Sequence, residues 1–176
     1  MGVLKKLLAG IVVLVLALAA GAYLLPRVVH IERSVAINAP PEAVFGYVNS
    51  LKATQEWSPW LERDPDVVVR YDGPESGVGA KMTWTSDAPD VGNGAQEIVA
   101  SVENKHVETA LDFGDMGTAK ADFVLEGQED ETLVTWSLDA DMGNNPIGRY
   151  MGLMMDTWVG SDYEAGLGKL KTLVEG

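Results

Sequence analysis

The chain has 176 residues with 26 acidic and 13 basic side chains, a net charge of −13, and no cysteine. The acidic balance excludes a basic nucleic-acid interface, and the lack of cysteine excludes disulfides, thiol catalysis and cysteine-ligated zinc. Residues 28–176 hold all 26 acidic side chains against ten basic ones. A segment of this length predicts one globular domain over residues 28–176.

The first predicted element is an apolar helix. Residues 7–25 form an uninterrupted run without a charged side chain, directly after Lys5 and Lys6. Because a helix rises about 1.5 Å per residue and the hydrocarbon core of a bilayer is about 30 Å thick, this run is long enough for one crossing. We therefore predict a transmembrane signal anchor at residues 7–25. The two lysines place residues 1–6 in the cytoplasm and the domain on the extracytoplasmic side, periplasmic or extracellular.

A cleaved signal peptide is the alternative for the same segment. Ala17, Leu18 and Ala19 form an A-x-A site behind a basic start and an apolar stretch. The apolar run nevertheless continues to Leu25, where a mature soluble protein is expected to turn polar. The sequence favours the uncleaved anchor, whereas cleavage after Ala19 would release the domain from the membrane.

A strand and two short helices are predicted next. Over residues 29–39 apolar and polar side chains alternate with the period of a half-buried strand, and Arg33 is the exception. Residues 41–48 are typical of a short helix that begins with proline and an acid. A second helical turn is expected over residues 51–57, because Ser58 precedes a proline and is pushed out of the helical region.

Six further strands are predicted from short alternating runs separated by turn residues. They cover residues 67–71, 80–85, 95–103, 107–113, 118–126 and 132–140. Helical spacing then returns, with Asn145 as the predicted N-cap of a long helix over residues 146–174. Gly160 is followed by Ser161 and Glu164 at capping-box spacing, which leaves two interpretations: two helices with a break at Gly160, or one helix with a kink.

Four segments of the sequence carry a family resemblance. They are RSVAINAPPEAVF at residues 33–45, WSPW at residues 57–60, GVGA at residues 77–80 and DYEAGLGKLK at residues 162–171. Together with the order of strand, two short helices, six strands and a long helix, they resemble the START-like superfamily, also labelled SRPBCC. The resemblance is particularly to the polyketide cyclase/dehydrase branch, and it covers residues 28–174.

The resemblance implies an α+β helix-grip fold. This is a curved antiparallel sheet of about seven strands, with two short helices after the first strand and a long C-terminal helix packed across the sheet. The gap between sheet and helix is then an apolar cavity, which is a common ligand site. Members bind lipids, polyketides or other apolar molecules, some as cyclases or hydrolases and many as carriers, so the fold narrows the function without fixing it.

Aromatic and methionine side chains are expected to line that cavity. Indoles can stack on a flat ligand and methionines suit an adaptable apolar surface, although both also serve as ordinary core packing. The predicted lining is Trp57, Trp60, Trp84, Phe113, Trp136, Met151, Met154, Met155 and Trp158.

No catalytic or metal-binding constellation is recognisable in the sequence. His30 and His106 are the only imidazoles, and the sequence places no partner beside either. Glu97 and Glu108 alternate to the outer face of their strands, and the loop after Asp139 lacks the ligand pattern of a calcium site. We therefore expect no catalytic residue, no metal and no cofactor.

Three functions are open to such a domain. The favoured one is a membrane-anchored binding domain for a lipid or other small apolar ligand, with the membrane contacted through residues 7–25 and no nucleic acid. The second is a polyketide cyclase/dehydrase-like enzyme on an apolar substrate, which needs a carboxylate, histidine or tyrosine that faces the cavity. The third is a protein-interaction module that uses the acidic surface.

Overall fold

The computed structural model describes residues 2–176. The elements follow the predicted order, and each predicted strand is present with its ends within two residues of the prediction. The helices are α1 Gly2–Ala22, α2 Pro41–Val48, α3 Leu51–Thr54 and α4 Pro146–Glu175, with short 3-10 turns at Leu61–Arg63 and Gly114–Met116. The strands are β1 Val28–Ile37, β2 Val68–Asp72, β3 Lys81–Thr85, β4 Gly94–Val102, β5 His106–Asp112, β6 Thr118–Gln128 and β7 Glu131–Asp141.

The seven strands form one antiparallel sheet in the order β1-β7-β6-β5-β4-β3-β2. The first two strands of the chain therefore lie at opposite edges, and α2 and α3 are in the connection between them. The long helix α4 packs against the inner face of the sheet, along β1. This architecture confirms the predicted helix-grip fold.

Register decides which side chains face α4. Directly opposed residues of an antiparallel pair share a face of the sheet. Trp136 is opposite Phe123 on β6 and opposite Arg33 on β1, so these three side chains lie on the inner face. Glu97 pairs with Ala110 and Glu108 with Asp122 on the outer face, as alternation predicts.

Two predicted helix ends are wrong. The turn expected over residues 51–57 is helical only to Thr54, because Trp57 leaves the helix to bury its indole completely and to donate its Nε1 hydrogen to the carbonyl of Tyr47 at 3.4 Å. The apolar helix α1 ends at Ala22, three residues before the apolar run does. The carbonyls of Tyr23 and Leu25 instead accept hydrogen bonds from Arg149 on α4 at 3.4 and 3.1 Å.

Of the two interpretations left open at Gly160, the break is excluded, because α4 is one continuous helix. A Cβ atom at Gly160 would collide with the guanidinium of Arg33, and one at Gly152 would lie 2.9 Å from Val29. These glycines therefore serve close packing of α4 on β1 rather than a helix end. Ser161 does not cap a helix either, since its hydroxyl donates to the carbonyl of Trp158 at 2.8 Å. The predicted N-cap is confirmed, since Asn145 Oδ1 accepts from the backbone N–H of Ile147 at 2.9 Å.

Helix α1 is long and apolar enough to cross a membrane. Its large apolar side chains from Val3 to Leu18 are at least half exposed, so the domain does not bury them. The C-terminal end of α1 contacts the domain, where the Tyr150 hydroxyl donates to the carbonyl of Leu18 at 2.9 Å and Ala22 is fully buried. The length and exposure of α1 fit a membrane span or a signal anchor.

Candidate functional site

The half of α4 after Gly160, the sealed half, is closed against the sheet by an aromatic stack. The ring centroids of Trp136 and Tyr163 lie 3.6 Å apart in a nearly parallel stack, and Phe123 stacks on Trp136 at 5.1 Å. Trp57 adds an edge-on contact, with its centroid 5.2 Å from that of Trp136. All four side chains are almost completely buried. Because such aromatic pairs stabilise beyond the area they bury, this half is a filled core.

Two polar groups lie inside this stack. The indole Nε1 of Trp136 is buried and has no hydrogen-bond partner among the described residues. An unpaired buried donor costs about 1–3 kcal/mol. Burial also raises the pKa of the Tyr163 phenol far above its ordinary value, so the hydroxyl keeps its proton and can donate a hydrogen bond but cannot act as a base at neutral pH.

The other half of α4, residues 146–160, is the open half. Ile147, Met151, Met154 and Trp158 follow at spacings of four, three and four residues, which places them on one side of the helix. We call them the apolar stripe. Met151 and Met154 are each 51% exposed and Trp158 is 47% exposed, whereas Tyr163 in the sealed half is only 2% exposed.

The 3-10 turn Leu61–Arg63 covers the side of α4 that carries the apolar stripe, but only beyond residue 160. Asp162 is the next residue on the side of the stripe, and it accepts a hydrogen bond from Arg63 at 2.5 Å. Lys169, further along the same side, pairs with Glu62. Both partners belong to the 3-10 turn Leu61–Arg63, which therefore covers this side beyond residue 160. Before that residue, the apolar stripe remains exposed.

Arg33 joins the two halves of α4 to β1. Its Nη1 donates to Asp156 Oδ1 at 3.0 Å and its Nε donates to Glu164 Oε1 at 2.7 Å. These hydrogen bonds, with that to Asp156 the larger, raise the pKa of the arginine. Arg33 thus fixes the position of α4 on β1. This role explains why a charged side chain stands where the alternation of β1 predicts an apolar one.

The remaining predicted lining residues are placed around the same gap. Trp84 is buried and meets Phe113 edge-on with centroids 6.0 Å apart. Trp60 is half-buried, with the guanidinium of Arg63 4.8 Å from its ring centroid. Met155 is half-buried against the core. The predicted set thus divides into four groups: the filled cluster of Trp57 and Trp136, the pair of Trp84 and Phe113, the half-buried Trp60 and Met155, and the exposed Met151, Met154 and Trp158. Its role in ligand binding stays a prediction.

The inner face of the strands offers amides and hydroxyls but no acid or imidazole within residues 2–176. Gln96 Nε2 donates to the hydroxyl of Thr109 at 3.1 Å, and that hydroxyl donates to the carbonyl of Ala121 at 3.3 Å. Ser101 donates to Asn49 at 2.8 Å. Apart from Arg33, the polar side chains that the strands present on this face are therefore neutral.

Both histidines have partners that the sequence analysis did not place. His30 Nδ1 lies 2.8 Å from Asp139 Oδ1 and His106 Nε2 lies 2.6 Å from Asp122 Oδ1. The hydrogen bond to Asp139 raises the pKa of His30. Both pairs cross strands on the outer face, so neither imidazole reaches the gap.

Two surface pockets lie elsewhere on the molecule. One, of about 550 Å³, opens on the outer face of the sheet and is bordered by Lys81, Glu97, Lys120 and Asp139. The other, of about 590 Å³, lies at the turn between β6 and β7 beside Asn38 and residues 128–131. The second pocket is bordered by charged and amide side chains and does not suit an apolar ligand, whereas the first also has Val28, Ala110 and Leu111 in its lining.

Three contributors to the site were missed from the sequence. Phe123 and Tyr163 complete the stack, and their only signals were alternation along β6 and the helical spacing of Tyr163 with Leu167. Arg33 was noted as an exception, but its carboxylate partners lie more than a hundred residues away along the chain. Only register and helix placement bring these groups together.

The family described as polyketide cyclase/dehydrase and lipid transport matches residues 28–175. The chain belongs to this family. Its resemblance to the START-like superfamily is thereby confirmed, and the match begins where β1 begins. The family and the fold support two functions: a domain that binds a hydrophobic ligand, or a cyclase.

Solved structures share the fold of this polyketide cyclase family member at low identity. Protein CV1439 from Chromobacterium violaceum is 19% identical with a TM-score of 0.55, covering 84% of this chain and 97% of its own. The Aha1 dimer protein from Colwellia psychrerythraea is 18% identical with a TM-score of 0.56, covering 84% of this chain and 96% of its own.

The di-domain ARO/CYC StfQ of the steffimycin biosynthetic pathway is 11% identical with a TM-score of 0.61, covering 84% of this chain and 51% of its own. No curated protein sequence matches the chain. At these identities the structural likeness establishes the fold alone.

Proposed function

We propose that the protein is a membrane-anchored binding domain that holds a small apolar molecule in the open half of its sheet–helix gap. The observation that carries the proposal is the contrast along α4, whose sealed half is filled by aromatic rings while its open half exposes the apolar stripe. Exposed, contiguous apolar surface on a folded domain is typical of a binding site. Methionines suit such a surface because their flexible side chains adapt to the shape of a ligand.

The polar groups of the gap define the chemistry of the ligand. Trp136 Nε1, Gln96 and Thr109 are neutral, and the strand positions that face the helix carry no carboxylate within the described residues. A neutral, mostly apolar ligand that extends from the open half into the edge of the stack and carries one hydrogen-bond acceptor, such as an ester or a ketone, would satisfy the unpaired indole N–H. Its pairing would remove a penalty of about 1–3 kcal/mol.

The same donor set argues against the cyclase. General acid–base chemistry needs a group whose pKa lies near the operating pH. Burial raises the pKa of Tyr163, so its hydroxyl stays protonated at neutral pH and cannot accept a proton as a base. Both imidazoles lie on the outer face of the sheet. Binding therefore fits the residues better than catalysis.

Helix α1 supplies the anchor in this proposal. Lys5 and Lys6 precede its apolar run, and the positive-inside rule then places the domain outside the cytoplasm. Arg27, in the connection to β1, forms a two-point ion pair with Asp141 at 2.8 and 2.7 Å. The short connection holds the gap near the bilayer, where apolar molecules reside. The lipid transport and the polyketide cyclase in the description of the family both accord with an apolar ligand.

A matched pair of probes tests the ligand chemistry. 9-Fluorenone and fluorene have the same flat skeleton, but only fluorenone carries a carbonyl acceptor. The full-length protein in nanodiscs, labelled with carbon-13 at methionine methyls and nitrogen-15 at tryptophan, is titrated with each probe. We expect both probes to shift the methyl signals of Met151, Met154 and Met155, and only fluorenone to shift the indole N–H signal of Trp136.

The variant Trp136→Phe identifies the indole signal and removes the donor. In this variant the two probes should bind equally, whereas the unmodified protein should prefer fluorenone by about two- to tenfold, the value of one hydrogen bond. Methyl signals that respond to neither probe would contradict the proposal.

A further inference from the structure

We propose that the open half of α4 also lies in the headgroup region of the bilayer, so that the mouth of the gap faces lipid rather than water. The surface consists of the apolar stripe together with Tyr150 and Leu153, and we call it the interfacial patch. The occupant of this patch is a lipid surface. The inference depends on the anchoring part of the proposed function but not on the binding of a ligand.

The contact between α1 and α4 sets the depth of the patch. Tyr150 reaches the carbonyl of Leu18, which lies four residues before the end of α1 at Ala22. At about 1.5 Å per residue this is about 6 Å below the end of the helix. The headgroup region is about 5–8 Å thick on each side of the hydrocarbon core. Helix α1 has 21 residues and is about 31 Å long, which is about the thickness of the hydrocarbon core. If α1 spans the bilayer, the Tyr150 hydroxyl therefore lies near the boundary between acyl chains and headgroups, and tyrosine is enriched at such interfaces.

Several contacts hold α4 in this position. A Cβ atom at Gly21 would lie 3.2 Å from the Tyr150 hydroxyl, so the glycine permits the close approach. Tyr23 donates from its hydroxyl to the carbonyl of Asn144 at 3.3 Å. The Arg149 guanidinium lies 5.0 Å from the ring centroid of Tyr23 and donates to the carbonyl of Leu25 at 3.1 Å. The patch is thus tied to the end of the candidate span.

The local charge agrees with a lipid surface although the domain as a whole is acidic. Residues 142–155 contain no Asp or Glu, in a domain with 26 acidic side chains. Arg149 is the single charged residue among them. It is only 9% exposed, and its guanidinium donates hydrogen bonds to the backbone carbonyls of Gly143 and Leu25. An acidic surface would be repelled by anionic lipid, whereas this face is neutral where it is exposed.

The exposed side chains are of the type found on interfacial helices. Ile147 is 69% and Leu153 is 62% exposed, and the patch includes Trp158 and Tyr150. Amphipathic helices with such a face lie in the plane of the interface and bury it about 5–10 Å into the boundary between headgroups and acyl chains. A ligand would then enter the gap from the membrane without crossing water.

Single spin labels measure the depth of each position. The chain has no cysteine, so one cysteine substitution gives one labelled site in the full-length protein. Nanodiscs of zwitterionic phosphatidylcholine carry the labelled variants Met151→Cys and Met154→Cys. Leu173→Cys, an exposed position in the sealed half of the same helix, is the matched control, and Leu14→Cys reports on α1.

Oxygen concentrates in the bilayer and a water-soluble nickel chelate stays in water, so the collision rates of a spin label with the two reagents report its depth. We expect labels at positions 14, 151 and 154 to collide more often with oxygen, and the label at position 173 to collide more often with the nickel chelate. Labels at 151 and 154 that match position 173 would overturn the inference, while a deep label at 14 would leave the anchor intact. Labels at 151 and 154 shielded from both reagents would also overturn it, because they would then be covered by protein. A shallow label at 14 would remove the anchor and the inference together.

Discussion

The two halves of α4 meet the same sheet in different ways. Beyond Gly160 the helix presents Tyr163, Leu167 and Leu170 to a core in which these side chains are at most 2% exposed. Before Gly160 it packs on β1 through glycines and leaves its large apolar residues at the surface. The difference teaches that hydrophobicity alone does not define the core of this domain. The sealed half supplies stability, and the open half is available for binding.

Two identical substitutions on one helix sharpen this contrast most strongly. Leu170→Ala removes a fully buried side chain and should lower the free energy of unfolding by about 2–5 kcal/mol. Leu153→Ala removes a side chain that is 62% exposed and should change it by no more than about 0.5 kcal/mol. Urea unfolding of both variants measures the difference. Equal losses would show that the two halves are packed alike.

Two glycines in the sealed half give a smaller, opposed pair of effects. A Cβ atom at Gly166 would lie 3.1 Å from Trp136 and 3.3 Å from Pro59, so Gly166→Ala overpacks the stack and should cost about 1–3 kcal/mol. Gly168 has open space around it, and Gly168→Ala should stabilise by up to about 1 kcal/mol through helix propensity. Thermal melting of the two variants should show shifts of opposite sign. A stabilising Gly166→Ala would mean that the aromatic stack is looser than its distances indicate.

The smallest expected effect lies outside both halves, at His30 on the outer face. The hydrogen bond to Asp139 raises the pKa of His30 above its ordinary value of about 6.5. The raised pKa means that the pair stabilises the fold below that value and that the contribution is lost as the pH rises through the folded-state pKa. Since the pair is exposed, the contribution is at most about 1 kcal/mol.

Titration of the His30 ring by NMR measures this effect. Asp139→Asn should return the pKa towards its ordinary value. Glu32→Gln should leave most of the shift, because Asp139 is its principal cause. A shift that survives Asp139→Asn would place its origin elsewhere.

Local patterns were sufficient for the order of the elements. Alternation defined the strands, proline and asparagine marked the starts of α2 and α4, and the short motifs pointed to the helix-grip fold. They left Gly160 open between a helix break and a kink, whereas this glycine makes room for Arg33 within one continuous helix. The sequence could not reveal that role, because the two residues are distant along the chain and meet only once α4 packs on β1.

The candidate site was predicted as a set of residue types, without its division into two parts. Trp136 and Met154 were both expected to line one cavity, but the former is stacked between rings and the latter is exposed. Met154 lies nine residues before Tyr163 and therefore on the opposite side of α4 from the stack, and the 3-10 turn at Leu61–Arg63 covers that outer side only beyond residue 160. Such a boundary depends on tertiary contacts and leaves no periodic signal.

The most direct test of the account is whether the open half binds a saturating amount of an apolar ligand. Equilibrium dialysis of 9-fluorenone against nanodiscs with the full-length protein, corrected for empty nanodiscs, gives the bound amount per chain. Met155→Trp enlarges a half-buried side chain at the gap, and Leu153→Trp makes the same change on the opposite side of α4. We predict one saturable site per chain in the unmodified protein and in Leu153→Trp, and its loss in Met155→Trp. Binding that never exceeds that of empty nanodiscs, or that is unaffected by Met155→Trp, would contradict the account.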